Sequence, residues 1–285
     1  MIPLGKTLGE PIATYHGAEA ISHTKLEVFR RRPALYKKRF IDRTVEREET
    51  AALVVGSALH CAVLEPGAYA HRYAIRPDGI DRRTKDGKAQ WEAFCQAHAG
   101  KTILDGDDAK LVENMASAIA GNPSAALLLS GGEAEVTWRA RASKLPHPLQ
   151  CRTDYFNRNG CELSEGRPYV ADVKSVETLD GEEFRNFSRA FVNFGYHRQC
   201  GFYLPLLQDC DVTCWDFFFI VVEKCEPFGC VVYRPTEDAV SRGMDETVTD
   251  LGRLADCYAR NDWPNLPTGV ESIDLPVWYK GKEAA

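Results

Sequence analysis

Several things are missing from this 285-residue chain, and each absence excludes a class of protein. No apolar run reaches the roughly 18 residues that span a bilayer; the longest, Ala51 to Leu64, falls short and carries His60. Met1 to Thr14 holds no basic stretch followed by an apolar one, so no signal peptide is read there and a cytoplasmic location is expected. No Cys-x-x-Cys occurs among the ten cysteines. The nearest approaches, Cys210-x3-Cys214 and Cys225-x4-Cys230, lack a histidine at finger spacing, so neither a zinc nor an iron–sulfur site is expected and the thiols read as reduced. There is no internal repeat and no low-complexity stretch. A hydrophobic content of 44% with 27% charged residues excludes a disordered, collagen-like or coiled-coil chain. A chain of this length buries enough surface to fold without a disulfide or metal staple.

The charge is uneven. The net charge is −6, which argues weakly against a nucleic-acid partner. Between Thr24 and Arg47, however, nine lysines and arginines face three acids, a local +6 that leaves −12 for the rest. Charge alone reads this segment as a solvated basic helix. Carboxylate excess elsewhere keeps a protein soluble and would repel DNA from the wrong faces.

The first part of the chain reads as helical. Residues 1–20 look like a loop-rich entry. Ser22 is placed to cap a helix over about His23–Phe29, and Pro33 opens another that carries Tyr36, Lys37 and Lys38. Ala51–Leu64 predicts an apolar helix ended by Glu65-Pro66-Gly67. Asp78 to Gly87 is polar and glycine-bearing, hence an exposed loop, with helices following over about 88–99, 107–122 and from Pro123. The character then changes. Val136–Arg141, Leu149–Phe156 and Tyr169–Ser175 have strand composition, with turn chemistry in Asn157–Pro168. Phe184–Gln208 reads as helix interrupted near Gly195, with a kink or end near Pro205. Thr213–Glu223 and Gly229–Arg234 predict a hairpin, and a helix over about Glu237–Asn261 precedes a proline-rich tail. This order predicts an α/β fold with a mixed central sheet flanked by helices.

The residues that carry chemistry lie in the strands. In Val170-Ala-Asp-Val-Lys-Ser175, Asp172 and Lys174 share one face of a strand. A carboxylate and an ammonium in an otherwise apolar strand are costly to bury without partners, though a lone Asp-x-Lys also occurs as a plain surface ion pair. A second acid sharpens the signal: Asp154 sits on the preceding strand and comes close to Asp172 if the two pair antiparallel around Asn157–Pro168. Two carboxylates beside a lysine suit a hard divalent cation, which prefers oxygen ligands, makes a bound water more acidic and stabilises charge on a phosphate. The lysine then orients that water or steadies the developing anion. Read as structure alone, the same pair is a set of turn carboxylates.

Glu135, Asp154, Asp172-x-Lys174 and Gln199-x-x-x-Tyr203, with Gly56-Ser-Ala-Leu-His60, resemble the PD-(D/E)XK nuclease superfamily in its RecB-like branch. More closely, the chain resembles RecE-type exonucleases and their phage and prophage relatives. The resemblance rests on Ile21-Ser-His-Thr-Lys25 with Arg-Pro-Ala-Leu-Tyr36, on Gly56 to Pro66, on Tyr196-His-Arg-Gln-Cys-Gly-Phe-Tyr203, and on Trp263-Pro264 with Leu275-Pro-Val-Trp278. Five motifs in order cover nearly the whole chain. Two departures stand out. Thr153 precedes Asp154 where the superfamily's name has proline, and the cysteine set of the iron–sulfur nucleases is absent.

The resemblance implies a restriction-endonuclease-like PD-(D/E)XK core and a single nuclease domain over 1–285. Residues 1–130 would be a mainly helical portion carrying His60, 131–262 the sheet core and 263–285 a tail. It implies Asp154, Asp172 and the backbone carbonyl of Val173 as metal ligands and Lys174 as the catalytic lysine. Glu135 is the upstream acid, with Glu133 an open alternative, and His60 is the helix histidine near the metal. Gln199 and Tyr203, one helical turn apart, would meet a phosphate or the lysine. Expected cofactors are Mg2+ or Mn2+. The basic segment then gains a use: Lys25, Arg30 and Arg31, and the loop residues Arg82, Arg83 and Lys85, are candidates for DNA phosphates. The implied activity is 5′→3′ degradation of one strand of duplex DNA, leaving 3′ single strands for homologous recombination. Its implied partners are DNA ends, a RecT- or Bet-like single-strand annealing protein, and further copies of the chain in a trimeric or tetrameric ring. A structure-specific endonuclease or flap nuclease of the same fold, and a non-catalytic DNA-end-binding protein, remain the alternatives.

Overall fold

The computed structural model describes residues 2–46, 50–179, 185–214 and 216–274. Eight strands lie among them: Gly5–Thr7 (β1), Tyr73–Ile75 (β2), Thr102–Leu104 (β3), Glu133–Ala140 (β4), Leu149–Asn157 (β5), Tyr169–Val176 (β6), Asp216–Glu223 (β7) and Cys230–Tyr233 (β8). The helices are Ile12–Gly17 (α1), His23–Arg31 (α2), Pro33–Tyr36 (α3), Ala51–Leu64 (α4), Pro66–Arg72 (α5), Lys85–Ala97 (α6), Gly106–Gly121 (α7), Pro123–Leu128 (α8), Arg185–Asn193 (α9), Tyr196–Gln208 (α10) and Glu237–Arg260 (α11). A π-helical turn, Lys37–Ile41, continues α3.

Six strands form one sheet in the order β1-β4-β5-β6-β7-β8, while β2 and β3 pair in parallel apart from it. Within the large sheet only β6 and β7 run parallel. A parallel pair needs a long crossover, and α9 and α10 supply it. β7 is buried at every position, as its run Phe217-Phe-Phe-Ile-Val-Val222 demands of a strand covered on both faces. One face packs Trp138, Phe156, Val170 and Phe219 against Phe29 of α2 and Leu204 of α10. The other packs Tyr169, Ala171, Val173 and Ile220 against Leu59 of α4 and Met115 and Ile119 of α7. This is the mixed, helix-flanked α/β architecture of a restriction-endonuclease-like core.

The helix starts follow from their caps. Ser22 accepts from Lys25 N at 3.3 Å, and Thr236 accepts from Ala239 N at 3.3 Å. Thr50 caps α4, which runs from Ala51 to Leu64 as the apolar run predicts. The helix ends before Glu65-Pro66-Gly67 as expected, and Pro66 opens α5, where a missing N–H costs nothing. Residues 1–20, read as a loop-rich entry, carry two short elements, β1 and α1. β1 has only three residues, and pairing with β4 rather than local pattern makes it a strand. The helix through Pro205 runs on to Gln208. The expected tail motif Leu275-Pro-Val-Trp278 lies outside the described residues.

α10 and α11 cross at a distance only glycine allows. A Cβ on Gly201 would sit 2.2 Å from the carbonyl carbon of Gly243, and one on Gly243 would sit 2.0 Å from the carbonyl oxygen of His197. Gly252, further along α11, faces open space. Replacing Gly243 with alanine is expected to lower unfolding free energy by about 1–3 kcal/mol through overpacking. Gly252→Ala is expected to raise it by about 0.5–1 kcal/mol through helix propensity. Urea titration of the two variants checks the contrast.

Candidate active site

The sheet register fixes the site. Ala134 pairs with Tyr155 and Val136 with Thr153, which sets Glu135 opposite Asp154. Tyr155 pairs with Ala171, which sets Asp154 opposite Asp172. Three acids thus form one row across β4, β5 and β6. Along a regular strand, residues i and i+2 share a face. Here they do not: Val136 lies in the core on the α10 side, whereas Ala134 packs on the α4 side. Likewise Thr153 accepts from Trp138 Nε1 at 3.3 Å on the first side, while Tyr155 is buried on the second. Both strands roll over at the Glu135–Asp154 pair. Glu135 takes a left-handed φ of 53°, a conformation that costs a non-glycine residue about 1–3 kcal/mol.

The β5–β6 ladder ends next to this pair, at Tyr155–Ala171, and side chains take over beyond it. Asp154 Oδ2 accepts from Val173 N at 2.8 Å. The carbonyl of Val173 lies 3.0 Å from His60 Nε2, and His60 Nδ1 lies 3.4 Å from Asp154 Oδ2. α4 carries His60 to this position, and Gly56, one turn earlier, has open space where a side chain would be. With Nε2 turned to the Val173 carbonyl, Nδ1 faces the Asp154 carboxylate. One donor atom each from His60, Glu135 and Asp154 lies within 4.8 Å of the others, and these three could hold a metal ion.

Electrostatics say the same. Burial, then the charge of Asp154, pushes the Glu135 carboxyl up from 4.5 to about 7, against the pull of His60 and Arg152. In the metal-free protein this group therefore favours folding most below its ordinary value, and that contribution is lost as pH rises through about 7. Burial and Asp154 also raise the pKa of Asp172, against Lys174.

Asp172 is not in the cation-sized group, which differs from the expected Asp154–Asp172 pair of ligands. Its carboxylate accepts from Gln199 Nε2 at 2.6 Å and forms an ion pair with Lys174. Burial alone would lower the Lys174 pKa; the carboxylates of Asp172 and Asp154 outweigh it and raise it. The lysine ammonium also lies 5.0 Å from the centre of the Tyr196 ring. Tyr203 packs against Phe217 at 6.1 Å between ring centres. Its hydroxyl is held protonated by burial, and the carboxylates of Asp172 and Asp154 act the same way. Glu133, the alternative to Glu135, instead forms an ion pair with Lys6 of β1.

Of the basic candidates only Lys25 is partly buried; the others are exposed, though most of them also contact residues of the same chain. Lys25 Nζ donates to the carbonyls of Ala18 and Ala20 at 3.1 and 2.7 Å. Arg30 lies 3.7 Å from Glu246 and 3.5 Å from Asp250. Arg31 is exposed and donates to the carbonyl of Asn193 at 3.1 Å. Arg82 stacks on Trp91 at 4.9 Å, Arg83 pairs with Asp81 at 3.0 Å, and Lys85 is the exposed first residue of α6. Two residues at the site were given no role by sequence. Arg152, two residues before Asp154, bonds Thr137 and the carbonyl of Glu10 and stands 3.7 Å from Glu135. Tyr196 lies one helical turn before Gln199, a spacing that would have placed it on the same face.

A family described as "PDDEXK-like domain of unknown function (DUF3799)" matches residues 22–276. A crystal structure from Eubacterium rectale, described as a candidate exonuclease, superposes with a TM-score of 0.60 at 12% identity, over 93% of each chain. At that identity the likeness speaks for the fold alone. A second crystal structure, of SSO0001, is 15% identical over 69% of this chain and 86% of its own, with a TM-score of 0.27 that carries no argument. No curated protein matches the sequence. The family match spans almost the whole chain and includes the row of acids and the lysine beside it; the chain belongs to the PDDEXK-like DUF3799 family.

Proposed function

We propose that the chain is a Mg2+-dependent exonuclease that degrades one strand of duplex DNA from its end, 5′→3′. The 3′ single strands it leaves would serve homologous recombination by strand annealing. The observation that carries a nuclease reading is the row Glu135–Asp154–Asp172 with Lys174 beside it. Polarity and the recombination role rest on the RecE-type resemblance of the sequence. So do a RecT- or Bet-like annealing partner, a cytoplasmic, phage-encoded setting and a ring of three or four copies.

His60, Glu135 and Asp154 fit a divalent cation, with the Val173 carbonyl alongside; Mg2+ is the natural occupant of an oxygen-rich site, and Mn2+ tolerates the imidazole. When bound, such an ion supplies charge to a phosphate and acidity to a water. The chain's own residues do the rest. Lys174 presents a fixed positive charge to the phosphate. Asp172 aims that charge, and Gln199 holds Asp172 in turn. Tyr196 limits where the ammonium swings. Among the described residues, no helix is long and apolar enough to cross a membrane.

Digestion of 5′-end-labelled linear duplex, with and without Mg2+, beside a covalently closed circle, tests the reading. Release of the 5′ label only with Mg2+, the circle staying intact, is expected. Cutting of the circle would make the protein an endonuclease, and no cutting of either would contradict the proposal. Lys174→Ala is expected to slow cleavage by about 10²–10³-fold or more while duplex binding stays within a few-fold. Near-normal turnover would contradict the role given to the lysine. Cation binding requires the Glu135 carboxylate, so Mg2+ affinity should rise with pH, by about tenfold per unit below pH 7, and level off above it. Titration calorimetry checks this. Glu135→Gln should weaken binding and flatten the slope, and a flat profile in the parent would contradict the assignment.

A further inference from the structure

We propose that Phe194 is a stacking platform for the nucleobase beside the phosphate to be cut, an inference that rests on the nuclease reading above. The ring sits in the turn between α9 and α10 and is 59% exposed, with Val192 beside it 60% exposed. A large apolar side chain so exposed adds little to the core. Its place is what distinguishes it. The Phe194 ring lies 5.8 Å from the Tyr196 ring, and Tyr196 carries the Lys174 ammonium 5.0 Å from its own centre. One ring therefore separates Phe194 from the lysine.

The platform is held firmly. Tyr196 is backed by Phe187 at 5.9 Å and Phe219 at 5.5 Å. Phe194 N donates to the Ala190 carbonyl at 2.9 Å, and Gly195 N to that of Val192 at 3.1 Å. Gly195 has a φ of 70°, and a Cβ there would meet Arg198 Nη2 at 2.5 Å, so the turn is shaped for glycine. Charge of the right sign adjoins it. Arg31, at the end of α2, reaches the turn at the Asn193 carbonyl and is exposed, and Arg30 and Arg32 flank it in sequence.

An exposed aromatic ring beside basic side chains offers a π-face to a base and cations to its backbone. Every base can use such a face, so the contact carries no sequence preference. Stacking of this kind orders the strand next to the lysine without touching the reacting atoms. Phe194 is thus a binding residue.

The test uses full-length Lys174→Ala protein, which holds the duplex uncut, and short blunt duplexes with 2-aminopurine at the terminal or the next nucleotide of the 5′-ended strand. Binding should quench one of the two probes. Adding Phe194→Ala should remove most of that quenching and raise Kd at least about fivefold, and Phe194→Trp should restore both. The ring is exposed, so Phe194→Ala should melt at the parent temperature. An unquenched complex of normal affinity, or a Phe194→Ala complex quenched as fully as its parent, overturns this inference and leaves the nuclease reading standing. Failure of the Lys174→Ala protein to bind the duplex at all overturns the nuclease reading, and this inference with it.

Discussion

At Glu135 and Asp154, where backbone bonds would ordinarily lace β4 to β5, both strands roll over together. This local inversion is the constraint on which the rest of the site depends. It removes a rung between β4 and β5, and the β5–β6 ladder ends beside it at Tyr155–Ala171, where the Val173 amide donates to the Asp154 carboxylate instead of a neighbouring carbonyl. It also crowds two acids and an imidazole into a space that suits a cation. The cost is visible in the left-handed Glu135 backbone and in a carboxyl group pushed to about 7. A sheet built for stability alone would keep the rung. Strain held by a well-packed frame is a common signature of functional sites.

The frame is the pair of helix layers. α4 brings His60 from one side and α10 brings Gln199 from the other, so the acids are gripped through the plane of the sheet. α10 is itself tied down by buried charge. Arg198 donates to Glu27 of α2 at 2.5 and 3.0 Å and to Glu246 of α11 at 2.9 Å. Buried ion pairs of this kind add little net stability over a well-packed apolar contact, but they fix relative position. The glycine crossing of α10 and α11 does the same by shape. Position is what the Asp172–Lys174 pair requires, because the lysine acts through where its charge stands.

Much of this was legible in the sequence, and the exceptions have physical reasons. The three site strands announce themselves by β-branched and aromatic runs between turn residues, and α4 by its apolar run. The turn residues between β5 and β6 suggest an antiparallel pair, which is why Asp154 close to Asp172 could be expected. Glu135 entered only by resemblance, as the upstream acid, with Glu133 left open because a strict period of two would put both on the same face. The roll-over breaks that period, and nothing local in Glu133-Ala-Glu135 signals it. β1, β2 and β3 have three residues each, too short for any pattern. The contacts of Arg152 with Glu10, Thr137 and Glu135 join distant parts of the chain, so no spacing rule reaches them. The basic segment shows the opposite failure: its charge is plain in the sequence, while its commitment to carbonyls and carboxylates of the same chain is not.

The central claim is that the rolled-over strand pair and the α4 histidine together make a cation site. Anomalous diffraction from crystals grown with Mn2+ tests it most directly. The account predicts one strong peak in contact with His60, Glu135 and Asp154. A crystal saturated with Mn2+ that shows no peak there, or shows it only at other residues, would contradict it.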